Sequence, residues 1–224
     1  MTLTEHFKPL LDKRLPAAFA VLLLSAVPAF AIDHLAPPIG IAQYEDQLAK
    51  TFKDVYADDI QLRAVVEPSF GREFAVGVRL SDGLYSIVYL QAKDSVWQSI
   101  VNKESGPLVT TRGVPMVRVE KCQHQIPSAL AQRLSSIWDQ MIRGIEPDDS
   151  VGLDGTSYYF SKIVDGEFKT GMAWSPEVMT KTGGLVGIVE TMKQLCAAPR
   201  KSLLEQLNRE SNDVLTRIVP EHPK

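Results

Sequence analysis

The 224-residue sequence is poor in the residues that several functional classes require. Two cysteines and four histidines are too few for a structural zinc module or a disulfide-dense scaffold. With 24 Lys and Arg against 27 Asp and Glu, the chain lacks the excess of positive charge that general nucleic-acid binding needs. The local motifs of serine hydrolases, zincins, P-loop proteins and penicillin-recognising enzymes are also absent. We therefore expect no nucleic-acid partner, no metal and no cofactor.

The first 31 residues have the pattern of a secretory signal peptide. Basic residues precede an apolar run from Leu15 to Val27, and small residues follow it. Cleavage after Ala31 and cleavage after Ala29 both fit the small-x-small rule, so both sites stay open. The run is short for crossing about 30 Å of hydrocarbon, so an uncleaved anchor is the weaker interpretation. We expect a periplasmic protein that consists of residues 32–224 and has no membrane span after cleavage.

Export changes the interpretation of the two cysteines, because an oxidising compartment favours disulfide formation. Cys122 and Cys196 are the only thiols, and the sequence contains no C-x-x-C redox motif. We predict that they form a disulfide, with a reactive free thiol as the alternative. Closing a loop of this length stabilises a fold by about 4 kcal/mol in the chain-entropy model.

Hydrophobic periodicity predicts one α+β domain after an extended lead-in at residues 32–42 and before a polar tail at residues 219–224. Apolar residues at helical spacing predict helices at Gln43–Tyr56, Pro127–Arg143, Gly183–Cys196 and Pro199–Ile218, and favour a helix over a strand at Ser95–Val101. Alternation predicts strands at Ile60–Val66, Glu73–Leu80, Leu84–Leu90, Val114–Cys122, Thr156–Val164 and Phe168–Trp174. We therefore expect about four helices packed on antiparallel or mixed strands.

Four carboxylates and no basic residue lie in the loop from Glu146 to Gly155; they belong to Glu146, Asp148, Asp149 and Asp154. A calcium site is one interpretation, since hard cations take oxygen ligands, but the alternation of an EF-hand is missing. A solvated turn is the simpler interpretation. As a binding surface, the loop would suit a partner with a basic surface, because concentrated carboxylates speed the encounter with one.

The turn Pro68–Glu73 is a second candidate contact. It combines Phe70 with Arg72 and Glu73, and an aromatic ring beside charged groups is typical of partner-binding edges. The simpler alternative is an inter-strand turn with a surface ion pair.

Several segments of the mature chain together resemble uncharacterised exported proteins of Gram-negative bacteria. These segments are Pro68-Ser69-Phe70 with Glu73 and Gly77, Leu153–Ser161, Trp174-Ser175-Pro176 and Leu185-Val186-Gly187. The resemblance implies export and a single domain. It implies no activity and no functional residue.

We therefore expect a periplasmic, non-enzymatic binding protein, such as an inhibitor or immunity protein that neutralises a secreted toxin or a cell-wall enzyme. Export, a disulfide-stapled acidic domain and the lack of a recognisable catalytic set all favour this function. The alternative is an envelope hydrolase or transferase, because carboxylates such as Glu73, Asp148 or Asp154 can act as acid and base without a local motif.

Overall fold

Alternating apolar residues build a six-stranded sheet in the computed structural model, which describes residues 33–104, 116–148 and 154–219. The strand order is β4-β3-β2-β1-β5-β6, and every neighbouring pair is antiparallel. The strands are β1 Ile60–Pro68, β2 Phe74–Ser81, β3 Leu84–Ala92, β4 Val119–Ile126, β5 Thr156–Val164 and β6 Glu167–Trp174. The predicted α+β class is confirmed, with the strands antiparallel rather than mixed.

Two Asp-Gly turns close the tight hairpins of the sheet. Asp82 and Gly83, at φ 51° and 76°, join β2 to β3, and Asp165 and Gly166, at φ 55° and 81°, join β5 to β6. Positive φ at both central residues matches the right-handed twist of the flanking strands, and Asp-Gly tolerates it well. Both predicted hairpins are confirmed.

Five α-helices accompany the sheet in the described part of the chain, compared with about four expected. They are α1 Ala42–Thr51, α2 Val96–Glu104, α3 Ser128–Arg143, α4 Lys181–Ala197 and α5 Lys201–Ile218. The ambiguous segment near residue 95 is therefore helical. Among the described residues, no helix combines the length and the apolar composition that a membrane crossing needs.

Helices cover both faces of the sheet. α3, α4 and α5 pack on one face, where Trp138 and Phe160 are completely buried with their rings 5.7 Å apart. α1, α2 and the 3₁₀ turn Lys53–Val55 cover the other face, where Phe52 packs in a cluster with Val65. Because β1 lies in the middle of the sheet, its side chains are buried in alternation against the two layers.

Two elements, the first helix and the fourth strand, differ most from their predicted ranges. The first helix ends at Thr51 rather than Tyr56, because the chain tightens into the 3₁₀ turn that buries Val55. The predicted strand Val114–Cys122 is shifted: β4 begins at Val119 and continues to Ile126. Its polar residues face outward at the sheet edge, so no apolar run marked its second half. Residues 114 and 115 lie outside the described part.

Cys122 on β4 and Cys196 on α4 lie at disulfide-bonding distance, with Cα atoms 5.8 Å apart. The predicted pairing agrees with this geometry. The pair connects the edge strand to the helical layer above it.

The lead-in is held against the edge of the sheet. Ala36 and Met172 exchange two backbone hydrogen bonds of 2.8 Å, and Leu35 is completely buried. The Asp33 carboxylate accepts a hydrogen bond from the backbone N–H of Lys181, the first residue of α4. The predicted signal peptide, residues 1–31, lies outside the described residues, as do residues 220–224 of the predicted tail.

Candidate binding cleft

The loop between β1 and β2 is fastened to the start of β5. The backbone N–H of Ser69 donates to the carbonyl oxygen of Gly155 at 2.8 Å, and the N–H of Gly155 donates to Ser69 Oγ at 3.0 Å. A side chain at Gly155 would place its Cβ 2.5 Å from Ser175 Oγ and 2.7 Å from the Trp174 ring, so only glycine permits this close approach. The turn and the end of the acidic loop, both singled out as candidate contacts, therefore meet in the fold.

An open cleft of about 860 Å³ lies beside this junction. Its aromatic lining comes from Tyr44 on α1, Phe70 at the loop tip and Trp97 at the start of α2. Phe70 is 87% exposed and Trp97 is 43% exposed, whereas the edge of the Tyr44 ring contacts Trp97 with the ring centroids 5.3 Å apart. The cleft therefore presents two aromatic rings to solvent.

Glu73 holds the start of α2, which carries Trp97, in place beside the cleft. It is 1% exposed, and its carboxylate accepts hydrogen bonds from the backbone N–H groups of Val96 and Trp97, both at 2.9 Å. Ser95 Oγ at 3.1 Å and the Tyr44 hydroxyl at 2.9 Å also donate to it. Glu73 thus caps the N-terminus of α2, where helical N–H groups lack partners within the helix.

This position corrects two expectations about Glu73. The residue forms no surface ion pair with Arg72, because its carboxylate is buried and bonded to α2 while Arg72 is exposed. It is also a poor contact for a partner and a poor acid–base group, since the fold already uses its oxygens. Arg72, by contrast, lines the cleft as expected of a contact residue.

Glu67, near the end of β1, is a partly buried carboxyl group in the lining of the cleft. It lines both the large cleft and a smaller cavity beneath α1. Burial, together with the nearby charges of Glu73 and Glu45, raises the pKa of Glu67 to about 8, and a hydrogen bond with Tyr159 partly opposes this rise. Glu67 therefore carries a proton at neutral pH and offers a hydrogen-bond donor rather than a negative charge.

The acidic residues of the loop do not lie together in the fold. Asp154 is exposed and lines the cleft, close to Phe70 and Arg72 in the same lining. Glu146 lies at the other end of the loop, where its backbone N–H donates to the carbonyl oxygen of Leu35 at 3.0 Å. Asp148 does not line the cleft within the described residues, and Asp149 lies outside them.

The charges around the cleft are balanced. Arg72 and Lys93 contribute positive groups, and Asp94 and Asp154 contribute negative groups. A site of this kind does not select a partner by net charge alone; its two exposed aromatic rings supply apolar surface that a partner can bury.

Sequence reasoning missed Glu67 and Tyr44. One local feature points to Glu67: the run Ala64-Val65-Val66 is apolar on both faces of β1, which is typical of a strand covered on both sides. Charged residues that flank such a run are then partly buried as well. Tyr44 carries no comparable feature, because any amphipathic helix buries aromatic residues on one face.

Comparisons of this chain with protein-family models, with curated proteins and with solved structures found no match.

Proposed function

We propose that the protein is an exported, non-enzymatic binding protein that takes a protein partner at the Phe70 cleft, as an inhibitor or immunity protein would. One observation carries the proposal: Phe70 is 87% exposed at the tip of a loop that two hydrogen bonds fasten to β5. An exposed ring on a fastened loop loses little conformational freedom when it enters a pocket of a partner, so its burial contributes strongly to affinity.

The surroundings of Phe70 support a protein partner. Trp97 adds a second half-exposed ring, and the rim alternates Arg72 and Lys93 with Asp94 and Asp154. Aromatic anchors inside a polar rim of both signs are typical of protein interfaces. The acidic loop that ends at Asp154 favours a partner with a basic patch beside the pocket for Phe70. The signal-peptide pattern supports the periplasm as the meeting place.

The central experiment compares two equally exposed residues. The mature protein captures its partner from a periplasmic extract, and the affinity of the purified pair is then measured for wild type, Phe70→Ala and Met179→Ala. Met179 is 81% exposed but does not line the cleft. We expect Phe70→Ala to weaken binding about 30-fold, the loss of an interface hot spot worth about 2 kcal/mol. Equal affinities for the two variants would refute the assignment of the site.

A second measurement tests the charge of the partner. Replacing Asp148, Asp149 and Asp154 with Asn is expected to slow association at low salt and to have little effect at high salt, because exposed charges are screened over about 8 Å at physiological ionic strength. If neither salt nor the triple substitution changes the association rate, the partner does not bind through the acidic loop.

Glu67 supports one other function, an envelope hydrolase or transferase. A carboxylic acid that keeps its proton at neutral pH inside a cleft has the property of a general acid. Purified protein is assayed on peptidoglycan and envelope glycans, with Glu67→Gln as the test and Glu177→Gln, an exposed glutamate outside the cleft, as the control. Turnover that is lost only in Glu67→Gln would replace the binding function with this one.

A further inference from the structure

The guanidinium group of Arg63 on β1 is held between two aromatic rings, on the face of the sheet that α1 covers. Its Cζ lies 3.8 Å from the centroid of the Tyr56 ring and 4.1 Å from that of the Phe168 ring. Both flat faces of the group are therefore covered. Only its edge, which carries the N–H donors, remains to contact another group.

No carboxylate of the described residues forms an ion pair with Arg63, and its Nε is buried without a hydrogen-bond partner. Arg79 on the neighbouring strand β2 differs in having an ion-pair partner: its Nε lies 2.9 Å from an Asp59 carboxylate oxygen, although that contact is not a hydrogen bond, and its Nη2 donates to the Asp54 carbonyl oxygen at 2.9 Å. Burial lowers the pKa of Arg63, but an arginine remains charged at neutral pH. A partly buried cation with no ion-pair partner is costly, so contact with the carboxylate of a ligand is favourable there.

Arg63 lines a cavity of about 280 Å³ between α1 and the strands β1, β5 and β6. The hydroxyl groups of Ser161 and Thr170, 2.9 Å apart, line the same cavity from the sheet. Glu45 and Asp46 line it from α1, where both are exposed. A volume at the lower end of the range for small-molecule sites suits a compact ligand and not a folded partner.

We propose that this cavity binds a small zwitterion, with the carboxylate of the ligand on the two Nη groups of Arg63, since its Nε is sealed from solvent, and its ammonium group against Glu45 and Asp46. A free α-amino acid is the simplest molecule that carries both groups. The planar carboxylate matches the two parallel donors of a guanidinium group, so the pair is bidentate. Inorganic phosphate is disfavoured, because Glu45 and Asp46 repel a second negative charge in the same cavity.

Glu67 also lines this cavity and supports the assignment. Since burial raises the pKa of Glu67 to about 8, the group is uncharged at neutral pH and does not compete with the ligand for Arg63. The site therefore keeps one cation on the sheet and two carboxylates on α1, which is the charge pattern complementary to a zwitterion.

Nuclear magnetic resonance of the ¹⁵N-labelled mature protein tests the proposal at the guanidinium group that gains an acceptor, through the resonance of its neighbouring Nε–Hε. The probe is a mixture of the protein L-amino acids other than cysteine, each at about 1 mM, a concentration that populates complexes with millimolar Kd. The Nε–Hε resonance of Arg63 is expected to move on addition of the mixture. The same resonance of Arg79 is the internal control and is expected to stay in place, because that group already faces Asp59.

Variants distinguish a ligand-binding role of Arg63 from a purely structural role in which it only stacks on Tyr56 and Phe168. Glu45→Gln with Asp46→Asn changes two exposed residues, and it is expected to weaken binding of the active amino acid about tenfold with only a small change in the unfolding midpoint. Arg63→Lys keeps the positive charge but loses the paired N–H donors of the guanidinium group. It is therefore expected to abolish saturable binding. An unmoved Arg63 resonance overturns the proposal. So does equal affinity for the matching carboxylic acid without its amino group, because the ammonium would then have no role.

Discussion

Replacing Glu67 with Gln removes a carboxyl group whose ionisation opposes folding. In the unfolded chain Glu67 has its ordinary pKa of 4.5, whereas burial raises the pKa in the folded protein to about 8. Below the first value both states hold the proton, and Glu67 costs no free energy of folding. Between the two values only the folded state holds it, so the free energy of unfolding falls as the pH rises.

The magnitude follows from the two pKa values. Each pH unit between them costs about 1.4 kcal/mol, so the full window lowers the stability by about 5 kcal/mol. Glutamine keeps the shape of the protonated acid and does not ionise. The Glu67→Gln variant is therefore expected to equal wild type in stability near pH 4.5 and to exceed it increasingly up to pH 8, above which the difference is constant.

Urea unfolding followed by tryptophan fluorescence measures this difference, because Trp138 is completely buried in the folded protein. Subtracting wild type from the variant at each pH removes the contributions of all other titrating groups. Glu177→Gln, at an exposed position, is the control and is expected to show no pH-dependent difference. A difference between Glu67→Gln and wild type that is the same at pH 5 and pH 8 would refute the argument, since Glu67 would then ionise as it does in water.

Three further predictions concern the cap of α2, the disulfide and export. Glu73→Ala is expected to lower the free energy of unfolding by about 3 kcal/mol in the same assay, because it uncaps α2 and leaves buried donors without an acceptor. Non-reducing peptide mapping is expected to link Cys122 to Cys196, and reduction is expected to cost about 4 kcal/mol of stability; two alkylatable thiols in the native protein would contradict this. Intact mass of protein from the envelope fraction is expected to show a chain that begins at Ile32 or Phe30, and recovery of the uncleaved chain in the cytoplasm would contradict export.

The helices and hairpins could be predicted from the sequence because their causes are local. The apolar residues of α3, such as Leu134 and Met141, recur at the helical period, and all of its predicted core positions are buried. The Asp-Gly pairs at 82–83 and 165–166 carry the φ values that tight hairpins need. The prediction of the bounds of β4 was wrong, because polar residues at the edge of the sheet leave no apolar alternation to detect.

The sequence by itself therefore determined the class of fold and identified the two cysteines that lie at disulfide-bonding distance, while export stays a prediction. Only the tertiary structure decided where its charged residues act. Glu73 follows Arg72 in a segment that the sequence predicts to be a surface turn, but the groups that bind it belong to Tyr44 and residues 95–97, more than twenty positions away. Ser69 and Gly155 meet across an even longer separation.

The physical reason is the range of the interactions. Periodicity and turn preference depend on neighbours within a few residues, so they can be read along the chain. The environment of a carboxylate or a guanidinium group depends on which distant backbone, ring or charge packs beside it. Glu67 and Arg63 both lie on β1, yet burial and the charges of Glu73 and Glu45 make one an uncharged acid, and Tyr56 and Phe168 enclose the other.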